Sequence, residues 1–186
     1  MLFILNLILQ LYLIILILRF LLEWSGVNGH NPFCRWLVKL TQWALNPIKN
    51  FIPSRGNINW TCVIIIIIVD VLQLLILSWN NWHNLPSIVG LLIAAIGNFL
   101  YLTSTVFFWG IIANAILSWI AMMNHNFSPL QEVLYYLTKP LLKPAQKIIP
   151  PIGGLDLSPI PVLLLLHLFT NFVAIRLMVV GLGMGA

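Results

Sequence analysis

Residues 60–79 read WTCVIIIIIVDVLQLLILSW, and they set the class of protein to which the chain belongs. The stretch is apolar except for a few polar side chains, of which Asp70 and Gln73 lie near its middle. About 20 apolar residues are enough for a helix to cross the hydrocarbon core of a bilayer, and tryptophan is enriched at both membrane surfaces. With Trp60 at one end and Trp79 at the other, the stretch predicts a transmembrane helix.

The composition of the whole chain also indicates a membrane protein. Of its 186 residues, 61% are hydrophobic and only 7% are charged, and the mean hydropathy is +1.01. A soluble domain has about 25% charged residues, so soluble enzymes, nucleic-acid-binding proteins and disordered proteins are excluded. The net charge of +5 lies on a nearly uncharged chain. It predicts contact with the anionic head groups of a lipid bilayer and no nucleic-acid partner.

Further regions are long and apolar enough to be considered as spans. The first covers residues 2–22, and the last begins at Ser158-Pro159 and continues to about Val180. Residues 85–123, between the span of residues 60–79 and the last span, are also apolar. That region is too long for one ordinary span, since a helix rises by about 1.5 Å per residue.

Residues 85–123 have two interpretations. They form either two short spans, or an interfacial segment 85–96 followed by a break at Gly97-Asn98 and one span over residues 99–122. An apolar run of about 12 residues is typical of an interfacial or re-entrant segment. We favour the second interpretation, which gives an all-α membrane protein with four transmembrane helices.

The chain also contains an internal repeat. A shift of 97 residues places identical residues on one another: Pro32 on Pro129, Thr41 on Thr138, Pro47 on Pro144, Pro53 on Pro150 and Gly56 on Gly153. Upstream, with a slip of two residues, residues 19–24 align with residues 114–119. The first repeat then covers residues 1–96 and the second covers residues 97–186. Each unit has two spans, so the two copies share one orientation, which predicts parallel repeats.

The distribution of charge predicts the orientation in the membrane. Lysine and arginine concentrate in the connecting segments 25–59 and 123–157, whereas the opposite ends of the spans carry none before Arg176. Positively charged loops of membrane proteins are retained in the cytoplasm. Both connectors are therefore expected to be cytoplasmic, and the N- and C-termini are expected to be external.

The sequence of each connector predicts an amphipathic helix that lies on the membrane surface. In the first connector, Asn31-Pro32 starts a helix whose polar positions recur at helical spacing: Arg35, Lys39, Gln42 and Asn46. In the second, Ser128 caps a helix that should end near Thr138, because the residue before Pro140 is disfavoured in a helix. The basic residues are expected to contact anionic lipid or to dock a cytoplasmic partner: Arg35, Lys39, Lys139, Lys143 and Lys147.

Residues 138–159 read TKPLLKPAQKIIPPIGGLDLSP. Together with the weaker copy in residues 31–56, this sequence resembles the signature of the YggT family (YlmG in Gram-positive bacteria), and the resemblance extends over essentially the whole chain. The first copy departs from the signature, because residues 57–60 read NINW where the second copy reads GLDL. The resemblance implies a small bacterial inner-membrane protein linked to osmotic tolerance and ion homeostasis. It also implies relatives associated with cell division or, in plastids, with cytochrome haem attachment and nucleoid organisation.

The signature ends in a turn whose candidate site residues are Pro150, Gly153, Gly154, Asp156, Ser158 and Pro159. The two glycines are expected to supply a backbone with positive φ. Ser158 is expected to cap the last span, with Pro159 in its first turn. Asp156 has two interpretations, a local turn or cap residue and a binding residue for an ion or a partner.

Polar residues also lie deep inside the predicted spans, and the candidates are Asp70, Gln73, His167 and Asn171. Asp70 and His167 are 97 residues apart, so they occupy the same place in the two repeats. Ionisable groups inside a membrane are costly, and we therefore expect these two side chains to face each other or to share a polar cavity. The group forms either hydrogen bonds between helices or a polar path for an ion or a proton.

The sequence contains no catalytic, cofactor-binding or metal-binding constellation, and Cys34 and Cys62 are too far apart in sequence to suggest one. It therefore predicts a non-enzymatic protein without a cofactor. With the resemblance, two functions remain open. The first is support of osmotic and ion homeostasis as a small channel or transporter component. The second is a membrane scaffold or assembly factor for division or cofactor-maturation machinery; a membrane-protein partner or a homo-oligomer fits either function.

Overall fold

The computed structural model describes residues 2–27, 29–49, 59–82, 86–124, 128–149 and 156–184. Within these ranges the chain is helical and has no strand. The elements are α1 (Leu2–Ser25), α2 (Pro32–Lys49), α3 (Trp60–Trp82), α4 (Ile88–Asn124), α5 (Pro129–Ile148), α6 (Pro159–Phe169), a π-helical turn (Thr170–Ala174) and α7 (Ile175–Gly183). The last three elements follow one another without a gap and form one continuous helical segment, which we call the last rod.

Four of these helices are long and apolar enough to cross a membrane. The apolar stretches are Phe3–Ser25 in α1, Trp60–Trp79 in α3, Ile88–Ile120 in α4 and Pro159–Gly183 in the last rod. Each has a mean hydropathy of 1.8 or more. The prediction of an all-α membrane protein with four spans is confirmed.

The third span differs from its predicted form. α4 is one unbroken helix of 37 residues, so the expected break at Gly97-Asn98 is wrong. Its length is about 55 Å at 1.5 Å per residue, well beyond the hydrocarbon core of about 30 Å. Gly97 and Asn98 make contacts with other helices and do not interrupt α4. Gly97 packs against α7, and Asn98 bonds to Asp70 on α3.

α4 and α7 pack so closely that their backbones nearly touch. A Cβ atom on Gly97 would overlap the backbone N of Met178, and one on Gly181 would overlap the backbone N of Ala94. Small residues on facing helices are the usual means by which membrane helices approach each other, because van der Waals contact replaces the hydrophobic effect in lipid. The glycines thus fix the packing of the third span on the fourth.

The connector segments form α2 and α5, and each helix buries one stripe of residues against the spans. On α2 the stripe consists of Leu37, Thr41 and Leu45; on α5 it consists of Val133, Leu137, Thr138 and Leu142. α2 contacts α1 and α3, and α5 contacts α4 and α6. The two helices also contact each other, so they lie at the same end of the molecule.

The expected end of the second connector helix near Thr138 is also wrong. α5 continues through Pro140 and Pro144 to Ile148. Each proline lacks an N–H and removes one helical hydrogen bond. Both prolines lie on the exposed side of α5, where water or lipid head groups can satisfy the carbonyls that lose a partner. The helix therefore tolerates them.

The two halves of the chain meet where α2 and α5 begin. Asn31 Nδ2 donates to the carbonyl of Pro129 at 2.9 Å and to a carboxylate oxygen of Glu132 at 3.0 Å. Asn31 Oδ1 accepts the N–H of Phe33 at 3.0 Å and so caps α2. Ser128 caps α5 in the same way, because its Oγ accepts the N–H of Gln131 at 3.2 Å.

Residues that the predicted repeat pairs with each other make matching contacts. Thr41 and Thr138 are both fully buried. Each donates its hydroxyl to the carbonyl four residues earlier, that of Leu37 in α2 and that of Leu134 in α5, at 2.8 Å in both helices. These contacts support the repeat, which stays a prediction, as does its boundary after residue 96.

The glycine contacts generate a test of the fold. Gly181→Leu is expected to push α7 away from α4 and to lower the free energy of unfolding by about 1–3 kcal/mol, as for overpacked cores. Gly183→Leu is the matched control, because a Cβ atom at Gly183 meets nothing within 4 Å. The measurement is denaturant unfolding of the full chain in mixed detergent micelles, followed by circular dichroism. Equal stability of the two variants would contradict the close packing.

Candidate functional site

The buried carboxylate of Asp70 bonds across the helix interface between α3 and α4. Asp70 is 2% exposed and Asn98 is 7% exposed. Asn98 Nδ2 donates to Asp70 Oδ1 at 2.6 Å. A polar pair of this kind holds two membrane helices together, since hydrocarbon offers neither side chain another partner.

Gln73 lies three residues after Asp70, on the same buried side of α3, and is 6% exposed. Its Oε1 atom is buried, and no hydrogen-bond partner for it is found within the described ranges. Buried polar atoms without a partner are rare in proteins. The neighbourhood of Asp70 therefore contains one satisfied polar pair and one polar atom that is not satisfied.

The structure does not bring Asp70 and His167 together, and the expected pairing is wrong. His167 is exposed on the outer surface of α6. Its Nε2 atom lies 3.2 Å from Asn171 Nδ2, and the same amide donates to the carbonyl of His167 at 2.8 Å. Asn98 on α4 occupies the position beside Asp70 instead.

A second polar contact, which the sequence analysis missed, joins α1 to α2 and α3. Arg19 Nε donates to Glu23 Oε1 at 2.9 Å, one turn apart on α1. Arg19 also donates to Thr41 Oγ1 on α2, and Asn59 Nδ2 donates to Glu23 Oε2 at 3.0 Å. The spacing of four residues between Arg19 and Glu23 is the signal that could have found the ion pair.

The signature turn falls partly outside the described residues, because Pro150, Gly153 and Gly154 are not among them. α6 begins at Pro159, as expected, but the side chain of Ser158 makes no capping bond. Its buried Oγ has no partner in the part of the chain that the structure describes. Ser158 therefore occupies the N-cap position of the last span, as expected, but without a side-chain capping bond.

Asp156 provides the contacts at this turn. Its Oδ1 atom accepts the backbone N–H of Ser158 at 2.9 Å, and its Oδ2 atom accepts Gln146 Nε2 at 2.7 Å. Burial opposes ionisation, but the hydrogen bonds outweigh it and hold the pKa of Asp156 below its ordinary value. Asp156 is therefore an ionised carboxylate at neutral pH. It ties the end of α5 to the start of α6.

The predicted lysine row of α5 lines a cavity of about 490 Å³. We call it the lysine cavity, and its walls include Trp24, Lys139, Lys143 and Lys147. Lys139 Nζ lies 5.3 Å from the ring centre of Tyr136, a cation–π distance. On α2, Arg35 and Lys39 are exposed. These cations form a basic surface at the end of the molecule where α2 and α5 lie, which we call the connector end.

The described residues offer little for redox or metal chemistry. Within them, no group of three or more His, Cys, Asp and Glu side chains could hold a metal ion. Cys34 is a free thiol, and burial, followed by the nearby Glu132, raises its pKa above the ordinary value. A raised pKa leaves less of the reactive thiolate at neutral pH.

The Asp70 contact can be tested with a double-mutant cycle. Asp70→Leu and Asn98→Leu should each lower the free energy of unfolding by about 0.6–2 kcal/mol. The double variant should lose less than the sum, because both changes remove the same bond. Denaturant unfolding in mixed micelles is the measurement. Thr105→Val is the control, because Thr105 bonds to the carbonyl of Tyr101 within its own helix, and it should add to Asp70→Leu without coupling. Additive losses for Asp70→Leu with Asn98→Leu would contradict the contact.

Comparison with known proteins places the chain in a family. The CCB3/YggT family model matches residues 1–80 and 93–178. The YggT protein of Escherichia coli strain K12 is 31% identical over 180 residues, which cover 96% of this chain and 92% of that protein. A Vibrio alginolyticus protein of the proC 3′ region is 34% identical over 178 residues (91% and 90%). Protein PA0392 of Pseudomonas aeruginosa is 36% identical over 165 residues (88% and 83%). No solved structure matches the chain. With a match of this extent, the chain belongs to the CCB3/YggT family.

Proposed function

We propose that the protein is a non-enzymatic inner-membrane protein that supports osmotic and ion homeostasis as one subunit of a larger membrane assembly. In that assembly it forms part of a channel or transporter. One observation carries the proposal: His167 and Asn171 are exposed on the outer surface of the last span. We call these two residues the outer polar pair.

Polar side chains on a lipid-facing surface are costly. His167 lies eight residues after Pro159, about 12 Å from the start of the rod, and so inside a hydrocarbon core of about 30 Å. Ionisable residues in membranes nearly always face a bundle interior or a water-filled cavity. Yet only 11% of this span's most apolar stretch is buried by the rest of the chain. The exposure of the outer polar pair therefore supports the proposal that another transmembrane helix covers this surface.

The covering helix in this proposal is the same span of a second copy of the chain. Imidazole and carboxamide groups each contain a donor and an acceptor, so the outer polar pair of one copy can bond to that of another. Self-complementary patches are typical of twofold dimers, the commonest symmetric oligomers. A dimer of this kind would place polar groups between two subunits at membrane depth, where an ion path needs them.

The dimer is tested by removing the outer polar pair. His167→Leu with Asn171→Leu should weaken dimerisation about tenfold, since interhelical hydrogen bonds contribute about 0.6–2 kcal/mol each. The dimer fraction is measured in lipid bilayers at several dilutions by single-molecule photobleaching. Thr105→Val is the control, because Thr105 donates to the carbonyl of Tyr101 within its own helix. An unchanged dimer fraction, or a photocrosslink from position 167 to another protein, overturns a second copy as the occupant.

The same variants test the role in homeostasis. A strain that lacks the protein is complemented with each variant at equal protein level and grown in hyperosmotic medium. Loss of protection with His167→Leu and Asn171→Leu, but not with Thr105→Val, is the expected result. Full protection by the variant that no longer dimerises would overturn the transport role and favour the alternative below.

The orientation is also proposed, with cytoplasmic connectors and external termini. It is supported by the position of the basic residues, because α2 and α5 lie at the same end of the molecule and carry Arg35, Lys39 and Lys139. Reporter fusions after Asn81 and at the C-terminus should both indicate the external face. A cytoplasmic signal from either fusion would contradict this orientation.

The alternative function is a membrane scaffold or assembly factor, and the lysine cavity favours it. Lys143 and Lys147 are exposed on α5, and such a surface fits anionic lipid head groups or an acidic partner. Under this alternative, Lys143→Glu with Lys147→Glu abolishes protection while the dimer fraction is unchanged. Under the transport proposal, that variant retains protection.

A further inference from the structure

Two amide side chains continue the buried stripe of α1. Leu13 and Ile17 are fully buried, and they pack in one apolar cluster with Ile66 of α3. Asn6 and Gln10 precede them in steps of four and three residues, so all four side chains lie on the same side of the helix. The stripe that α1 turns toward the bundle therefore becomes polar in its first three turns.

The contacts between α1 and α3 show how the two helices are aligned. Asn59, just before α3, donates to Glu23 near the end of α1 at 3.0 Å. One turn further into the bundle, Cys62 Sγ donates to the carbonyl of Leu16 at 3.7 Å. The helices are therefore antiparallel, and each step back along α1 is matched by a step forward along α3.

This alignment brings the amides of α1 to the height of the polar residues of α3. Measured from the contact between Leu16 and Cys62, Asn6 is ten residues away and Gln73 eleven, a difference in height of about 1.5 Å. Gln10 and Asp70 are six and eight residues away, a difference of about 3 Å. The bond from α4 to Asp70 adds a further amide. We call these five residues the amide cluster: Asn6, Gln10, Asp70, Gln73 and Asn98.

Several oxygen atoms of the amide cluster lack a hydrogen-bond donor. Gln73 Oε1 and Asn6 Oδ1 are buried, and neither has a partner among the residues that the structure describes. Asp70 is 2% exposed, and within the same residues only its Oδ1 atom accepts a hydrogen bond. Buried acceptors without a donor are rare in proteins. The amide cluster thus offers acceptor oxygens from two helices to a group that the chain does not supply.

The charge of Asp70 also lacks a counter-ion within the chain. Over the described ranges, Asp70 forms no ion pair with a lysine, arginine or histidine. Arg176 and His167 are exposed on the outer surface of the last rod. An ionised carboxylate in a membrane interior is costly unless a cation neutralises it.

We propose that the amide cluster binds a monovalent cation, Na⁺ or K⁺, between α1, α3 and α4. Carbonyl-type oxygens replace the water shell of such ions inside membrane proteins. One positive charge neutralises Asp70, whereas a divalent ion would leave a net charge in hydrocarbon. The proposal deepens the proposed role in ion homeostasis, on which it rests, because it names the class of ion and the atoms that hold it.

The test is a binding assay on the full chain in lipid nanodiscs with radiolabelled Na⁺ and with radiolabelled Rb⁺, which stands for K⁺. At least one probe should bind saturably at pH 7, and the tighter of the two identifies the ion. Asp70→Asn should abolish binding, because it removes the charge and keeps the size of the side chain. Asn6→Leu should weaken binding about tenfold by removing one oxygen ligand, and it keeps the test decisive if Asp70→Asn does not fold.

Asn171→Leu is the matched control for Asn6→Leu, since it removes an exposed amide from the outer surface of the last span, and it should leave the affinity unchanged. Absence of saturable binding by both probes, or displacement by Ca²⁺ at lower concentration than by either monovalent ion, overturns the proposal. Wild-type affinity in both cluster variants overturns it as well. The assay measures neither dimerisation nor growth, so its failure is distinguishable from failure of the proposed function, which is tested through the outer polar pair.

Discussion

Inside a hydrocarbon solvent, every polar group must find its partner within protein, because no water is available to replace it. This constraint explains the internal contacts of the chain. Asp70 is buried against Asn98, and Arg19 is held by Glu23 and by Thr41. His167 and Asn171, by contrast, are exposed on the outer surface of the last span. The same constraint is the reason for proposing that this surface is an interface.

α4 organises the fold around these contacts. It contacts α1, α3, α5 and the whole rod from α6 to α7. Asn98 on this helix bonds to the carboxyl group of Asp70 on α3, Gly97 allows the backbone of α7 to approach, and Asn114 lines a cavity of about 630 Å³ beside α5. One helix therefore connects the membrane interior to the connector end.

Hydrophobicity and charge made the fold class and the four spans predictable, because a bilayer demands long apolar helices. Local rules failed where tertiary contacts override them. Gly97 was interpreted as a break but is a packing contact, and Pro140 was interpreted as a helix end but lies on an exposed helix face. The pairing of Asp70 could not be predicted, since sequence separation does not show which helix is adjacent. The ion pair of Arg19 was visible in the spacing, but its contacts to α2 and α3 depend on the fold.

The length of α4 makes the protein sensitive to bilayer thickness. Its apolar stretch, Ile88–Ile120, exceeds the depth of an ordinary hydrocarbon core, and such a mismatch is relieved by tilting or by local thickening of the lipid. The close glycine contacts mean that α7 must tilt with α4. A thin membrane is therefore expected to favour a greater common tilt of α4 and α7 than a thick one does.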